Sequence, residues 1–190
     1  MANGFVADIV GAYGGLRASM RNQMDRGNDE PRLMAYLAFG CFVIFLSFLP
    51  RLLATDLSGT DQSIAAGITV WFFSVMFFLP LMLYAVAAIS HLIAKAFGAK
   101  GSQHNARHAI AWMLVVLSPV LIVKAMLGSV FISLDMPMAI DVLNALLAFA
   151  ILRIWGAFLA ESENFSSAFK VSSIIAAVFI VLAGIIYLLG

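Results

Sequence analysis

The chain has 190 residues and a formal net charge of +1; 63% of its residues are hydrophobic and only 11% are Asp, Glu, Lys or Arg. A soluble domain carries about a quarter charged residues, so this chain cannot clothe itself in a water-facing surface, and its apolar residues fall in blocks of membrane-spanning length. The numbers argue against a soluble globular domain and against a nucleic-acid partner, and a single cysteine, Cys41, leaves no basis for a disulfide framework or a cysteine-based zinc site.

The chain opens with MANGFVADIVGAYGG, where Asp8 and several glycines interrupt what a cleavable signal sequence needs, so insertion is expected to rely on the first span. Phe5, Ile9, Tyr13, Leu16, Met20 and Met24 recur at steps of three or four with Arg17 and Arg21 between them. This spacing predicts an amphipathic helix lying flat on an anionic inner leaflet, with its arginines toward lipid phosphate. The polar run from Arg26 to Pro31 then turns the chain into the bilayer. Residues 1–31 thus form an N-terminal cytoplasmic amphipathic segment, and residues 32–190 a transmembrane domain.

Five apolar blocks follow, from about Arg32 to Leu53, Ile64 to Phe97, Ala106 to Ile132, Met138 to Ala160 and Phe169 to Leu189. The second is too long for one straight span and too short for two, because at about 1.5 Å per residue it reaches roughly 50 Å against a hydrocarbon core of about 30 Å. It is expected to be one helix, kinked or interrupted near Pro80, whose end carries His91 and Lys95 into water. Arg17, Arg21, Arg26 and Arg32 precede the first span, Lys95, Lys100 and Arg107 sit between the second and third, and Lys170 lies before the fifth. The alternate connections are poor in basic residues, which places the N-terminus in the cytoplasm and the C-terminus in the periplasm. Tyr36, Trp112 and Trp155 are expected at the inner interface, and Trp71 and Tyr187 at the outer one.

Charged groups inside spans are functional candidates. Lys124 is the deepest; Asp141, about one turn into the fourth span, is its expected partner, and the competing reading is an ion or substrate pathway. Arg153 is within reach of lipid phosphates or of Glu161. His104 and His108, spaced i, i+4, would share a helical face with His91 near them, but the loop offers no Asp, Glu or Cys to complete a metal shell. Pro80 and Pro119 free backbone carbonyls that neighbouring helices or hydroxyls must satisfy. Gly156 and Ala160, and Ser173, Ala177 and Gly184, make strips of small residues suited to close helix contact. No phosphate loop, HExxH, GxSxG or carboxylate dyad is present, so neither an enzyme nor a cofactor is expected.

Leu79 and Pro80, His91, Gly98, Gly101, Ser102, Ala106, Arg107 and Trp112, followed by Ser118 and Pro119, resemble in order and spacing the bacterial branch of the Yip family. These are membrane proteins named for the interaction of eukaryotic members with Ypt and Rab GTPases. The likeness runs over roughly residues 8 to 160. It implies an all-α polytopic bundle with a cytoplasmic N-terminus. The expectation is a bundle of five transmembrane helices preceded by an amphipathic interfacial helix, acting in a bacterial inner membrane as a non-enzymatic scaffold or accessory component. Its expected partners are anionic membrane lipids at the cytoplasmic face and a membrane-protein partner or further copies of itself. The alternative is a small transporter or channel using Lys124 and Asp141.

Overall fold

The computed structural model describes residues 4–27, 29–54, 64–175 and 177, and these are helical almost throughout, with no strand among them. Two short helices, α1 (Phe5–Gly14) and α2 (Leu16–Asp25), precede α3 (Glu30–Ala54). A long rod follows, made of α4 (Ile64–Phe73), a π-helical turn at Ser74–Phe78 and α5 (Leu79–Ala96); then come α6 (Gln103–Ser133) and α7 (Pro137–Ser162). Residues 168–175 begin a further helix. Four helices among the described residues are long and apolar enough to cross a membrane: α3, the α4–α5 rod, α6 and α7. The fifth expected span begins in the helix at 168–175, and the rest of it lies outside the described residues.

The interruption foreseen near Pro80 is the π turn just before it. Pro80 has no N–H to give and its ring presses on the preceding turn. The backbone widens ahead of it, and the Leu79 N–H reaches back five residues to the Ser74 carbonyl. The helical run is continuous from Ile64 to Ala96.

Helix α6 is the centre of the bundle, with α3, α5 and α7 packed around it, α1 touching it and α2 packed chiefly on α7. Gly40 of α3 permits the closest of these approaches, because a Cβ there would come 2.4 Å from Leu114 Cβ. Burial is uneven along α6 and α7. In α6 nearly every side chain from Ala106 to Ser118 is buried and most beyond it are not, whereas in α7 burial starts at Ile154. The packed core therefore sits at one end of the bundle, where α3 and α6 begin and α5 and α7 finish.

Helix ends at that pole are made by local chemistry. Gly98 adopts a positive φ of 84°, and the amides of Gly98 and Ala99 close back onto the carbonyls of Lys95 and Ala94. This double bond, with glycine at the left-handed position, is the Schellman ending. Ser102 caps α6 by accepting from the Asn105 N–H at 3.2 Å. Asn164, at φ 59°, ends α7 in the same manner as Gly98 ends α5, with Phe165 N–H on Ala160 O at 2.8 Å.

Several expectations are corrected here. The amphipathic segment is two helices broken at Gly15, not one, and its arginines meet protein and not lipid phosphate, Arg17 and Arg21 both pairing with Glu161. It is docked on the bundle: Ile9, Ala12 and Met20 face inward, Phe5 packs on Tyr36 and Phe39, and the Tyr13 hydroxyl donates to the Val116 carbonyl well inside α6. Trp112 and Trp155 are core residues and not interfacial anchors, since Trp112 is fully buried and its indole donates to Ser19 Oγ at 3.0 Å. Tyr187 lies outside the described residues.

A candidate site at the polar end of the bundle

The chain turns at this pole between α2 and α3, between α5 and α6 and after α7, and every turn leaves carbonyls and amides without helical partners. Charged side chains gather to meet them. The decisive residues are the two acids of Glu161-Ser162-Glu163. Being two apart at a helix end, they point to opposite sides.

Glu161, nearly buried, faces the N-terminal helices. Its Oε2 accepts from Arg17 Nε at 2.7 Å, and its Oε1 from Arg21 Nε at 2.7 Å. Arg17 also gives its two terminal nitrogens to the carbonyls of Ser166 and Phe165, each at 2.8 Å. One guanidinium thus neutralises an acid and covers the turn after α7, where the helix dipole favours a cation. These are charge-assisted bonds, the stronger class.

Glu163 faces the other way and is wholly buried. His91 Nδ1 lies 2.7 Å from its Oε1, and its backbone carbonyl accepts from the Lys100 N–H at 3.2 Å. Gly101 lets the α5–α6 connection sit on this turn, because a Cβ there would meet Ser162 O at 2.3 Å and Glu163 Cα at 2.8 Å. His91, expected to be wet from its position near the end of the second span, is a largely covered strut between α5 and the end of α7, with 12% of its side chain exposed.

A third cluster joins the starts of α3 and α6. Glu30 Oε1 lies 2.9 Å from Arg107 Nη2 and 3.1 Å from His104 Nδ1, and the Arg107 guanidinium rests over the Tyr84 ring, 5.6 Å from its centre. A fourth closes the N-terminal pair: Arg26 holds Asp8 in a two-point ion pair, Arg32 donates to the carbonyls of Gln23 and Gly27, and Tyr36 donates to Gln23 Oε1. The Arg26 hydrogen bond keeps the Asp8 carboxyl below the usual carboxylate range and raises Arg26 in turn. Burial raises Tyr13 above the ordinary phenol value.

Most of the predicted loop residues are helical. His91 and Lys95 belong to α5, and His104, Arg107 and His108 to the first turns of α6; Lys100 alone stands in the connection, exposed. His104 and His108 do not converge. His104 joins Glu30, while His108 is fully buried edge-on to Tyr36, with ring centres 6.0 Å apart. No group of three or more metal-ligating side chains occurs among the described residues.

Lys124 and Asp141 are not brought together. Lys124 Nζ lies over the Phe48 ring, 5.8 Å from its centre, and Asp141 is exposed about one turn into α7. Arg153 is exposed on α7, and the Glu161 it was expected to reach is held by Arg17 and Arg21. Near Pro119, Ser118 Oγ donates to Leu114 O at 3.0 Å and the Tyr13 hydroxyl to Val116 O, one residue to either side of the Val115 carbonyl whose helical amide the proline removes. The strip on α7 is used within the chain, since Gly156 touches Ser172, whose Oγ would lie 2.0 Å from an added Cβ. The neighbouring Ser173 and Ala177 are exposed, and Gly184 lies outside the described residues.

Glu161, Glu163, Glu30 and Ser19 were the residues that sequence reasoning undervalued. Two acids just past a long apolar run were a usable signal, because a carboxylate beside a span needs a partner.

A family model, the Yip1 domain, matches residues 17–189. The chain belongs to the Yip1 family. The match starts at Arg17, in the first turn of α2, and extends beyond the stretch over which the motif residues run. No curated protein and no solved structure matches the chain. This Yip1 protein is thus a multi-pass, all-α membrane protein. Of the residues that carry the Yip likeness, Pro80 follows the π turn in the middle of the rod, and the others gather toward the polar end: His91 holds Glu163, Gly98 and Ser102 shape the connection, Gly101 admits the α7 turn, Arg107 binds Glu30, and Trp112 binds Ser19.

Proposed function

We propose that this Yip1 protein is a non-enzymatic scaffold or accessory component of a bacterial inner membrane, with five spans, the N-terminus cytoplasmic and the C-terminus periplasmic. The basic residues before α3 and around the α5–α6 connection support that orientation. The observation that carries the reading is the clamp of Arg17 and Arg21 on Glu161. It fixes α1 and α2 as a folded cap over the bundle's inner end, and the outward side of that cap is what a partner meets. Exposed apolar residues on α1, with Val6 and Val10 foremost, give the cap a lipid-facing side as well. Anionic lipids and a membrane-protein partner, or a second copy, are the expected company.

Crosslinking in native membranes followed by purification in mild detergent tests this. A defined protein partner should be recovered, retained by Lys124→Met and lost by Glu161→Arg, which unlatches the cap. Recovery of no partner with any crosslinker rules the scaffold out.

One observation favours a second reading, a small transporter or channel. Lys124 makes no ion pair with a carboxylate among the described residues and lines, with Pro119 and Tyr13, a cavity of about 440 Å³ between α6 and α7. That reading predicts solute flux in liposomes that Lys124→Met abolishes; unchanged flux removes it.

A further inference from the structure

Helices α5 and α7 both pack on α6 and meet at the polar end through the His91–Glu163 pair. From there they diverge. Between them and residues 165–175 lies a cavity of about 400 Å³, inside the range of roughly 300–1,000 Å³ that holds small ligands. Val86, Ile89, Ile93 and Phe97 recur at helical spacing along one face of α5 and form one wall; Leu159 and Ile174 stand opposite. Apart from Ser90 on the α5 wall, the polar side chains of the lining are Ser166, Ser167 and Lys170, consecutive or nearly so in the segment after α7.

Two features define the occupant. From Phe97 to Val86 the α5 wall runs about 16 Å at ~1.5 Å per residue, which is one leaflet of a hydrocarbon core about 30 Å thick. The lining includes an exposed lysine that makes no ion pair among the described residues, and no acidic side chain lines the cavity. We propose that this groove binds one anionic phospholipid, its acyl chain laid along α5 and its phosphate on Lys170 and the two hydroxyls. A lipid bearing its own cation places that charge beside Lys170 and is disfavoured. The groove rests on the multi-pass reading and gives the lipid contacts proposed above a defined address.

Native mass spectrometry of the full chain, after equilibration with equal amounts of phosphatidylglycerol and phosphatidylcholine, tests it. The expected result is one retained lipid with at least fivefold preference for phosphatidylglycerol. Lys170→Glu should remove that preference, while Lys95→Glu, which changes the same charge outside the groove, should keep it. Ile93→Trp, which fills the groove, should abolish retention of both lipids with the protein still monodisperse. Equal retention of the two lipids by the wild type, equal behaviour of the two lysine variants, or full retention by Ile93→Trp overturns the proposal. So does a groove variant that loses a protein crosslink and not the lipid, since that outcome seats a partner helix there. The scaffold reading fails separately, by absence of any crosslinked partner while lipid retention stays intact.

Discussion

The two ends of this bundle are built differently. At the polar end α6 is enclosed from Ala106 to Ser118, wrapped by α1, α2, α3 and the end of α7. At the other end α6 and α7 leave Val123, Met126, Val142, Leu146 and Phe149 exposed. In water the second arrangement would be untenable, but in lipid an exposed valine costs nothing, because hydrocarbon surrounds it either way. What holds helices together in that medium is close packing of small residues and polar groups with no other partner. Gly40, Gly101, Gly156 and nearly all the ion pairs of the described residues lie at the polar end. Adhesion is concentrated where the chain has to turn.

Substitutions at both ends sharpen the contrast. His91→Leu should have the largest effect, since it takes the hydrogen-bond partner from the fully buried Glu163 carboxyl; a buried polar group left unsatisfied costs about 1–3 kcal/mol, and more where the group is charged. Unfolding of the purified protein by titration into a denaturing detergent measures it, and restoration by the double variant His91→Leu with Glu163→Leu identifies the stranded carboxyl as the cause. Gly40→Leu should follow, at about 1–3 kcal/mol for overpacking against Leu114, read as a lower midpoint in the same titration. Glu161→Ala should cost about 1–2 kcal/mol, below a fully buried pair because Arg17 and Arg21 are partly exposed. Its distinctive readout is cysteine labelling at position 12, closed in the native protein and open in the variant.

Smaller effects complete the comparison. Asp8 is held ionised by Arg26, so its folded-state pKa lies below the unfolded one. The contribution to docking of α1 is full above the ordinary Asp value of about 4 and is lost as pH falls through the lower folded value. Labelling at position 12 should therefore rise in acid, and Asp8→Asn should remove the acid dependence. Phe149→Ala, at the open end, should move the unfolding midpoint by less than about 0.5 kcal/mol, the usual effect of an exposed site. A large effect there would mean that a partner or a second copy covers that surface, and would break the contrast between the ends.

The spans were readable along the chain because hydropathy is local: the boundaries expected for α3, α6 and α7 fall within a few residues of Glu30–Ala54, Gln103–Ser133 and Pro137–Ser162. The interruption near Pro80 was readable too, although its form, a π turn upstream of the proline, depends on how the ladder relaxes. The amphipathic spacing of residues 5–24 signalled helices, yet it pointed the arginines at lipid. A periodicity states which residues share a face and not what that face meets. Lys124 and Asp141 illustrate the same limit, being near in sequence order and apart in the fold, with Lys124 over Phe48 instead.

Composition, hydropathy and the placement of charge thus determined, by themselves, that this is a helical membrane protein and where its rods begin and end, since the bilayer acts on each span separately. Tertiary structure alone decided which charge neutralises which. Glu161 finds Arg17 across 144 positions and Glu163 finds His91 across 72, and pairings over such separations exist only once the helices have been laid side by side and water has been excluded from between them.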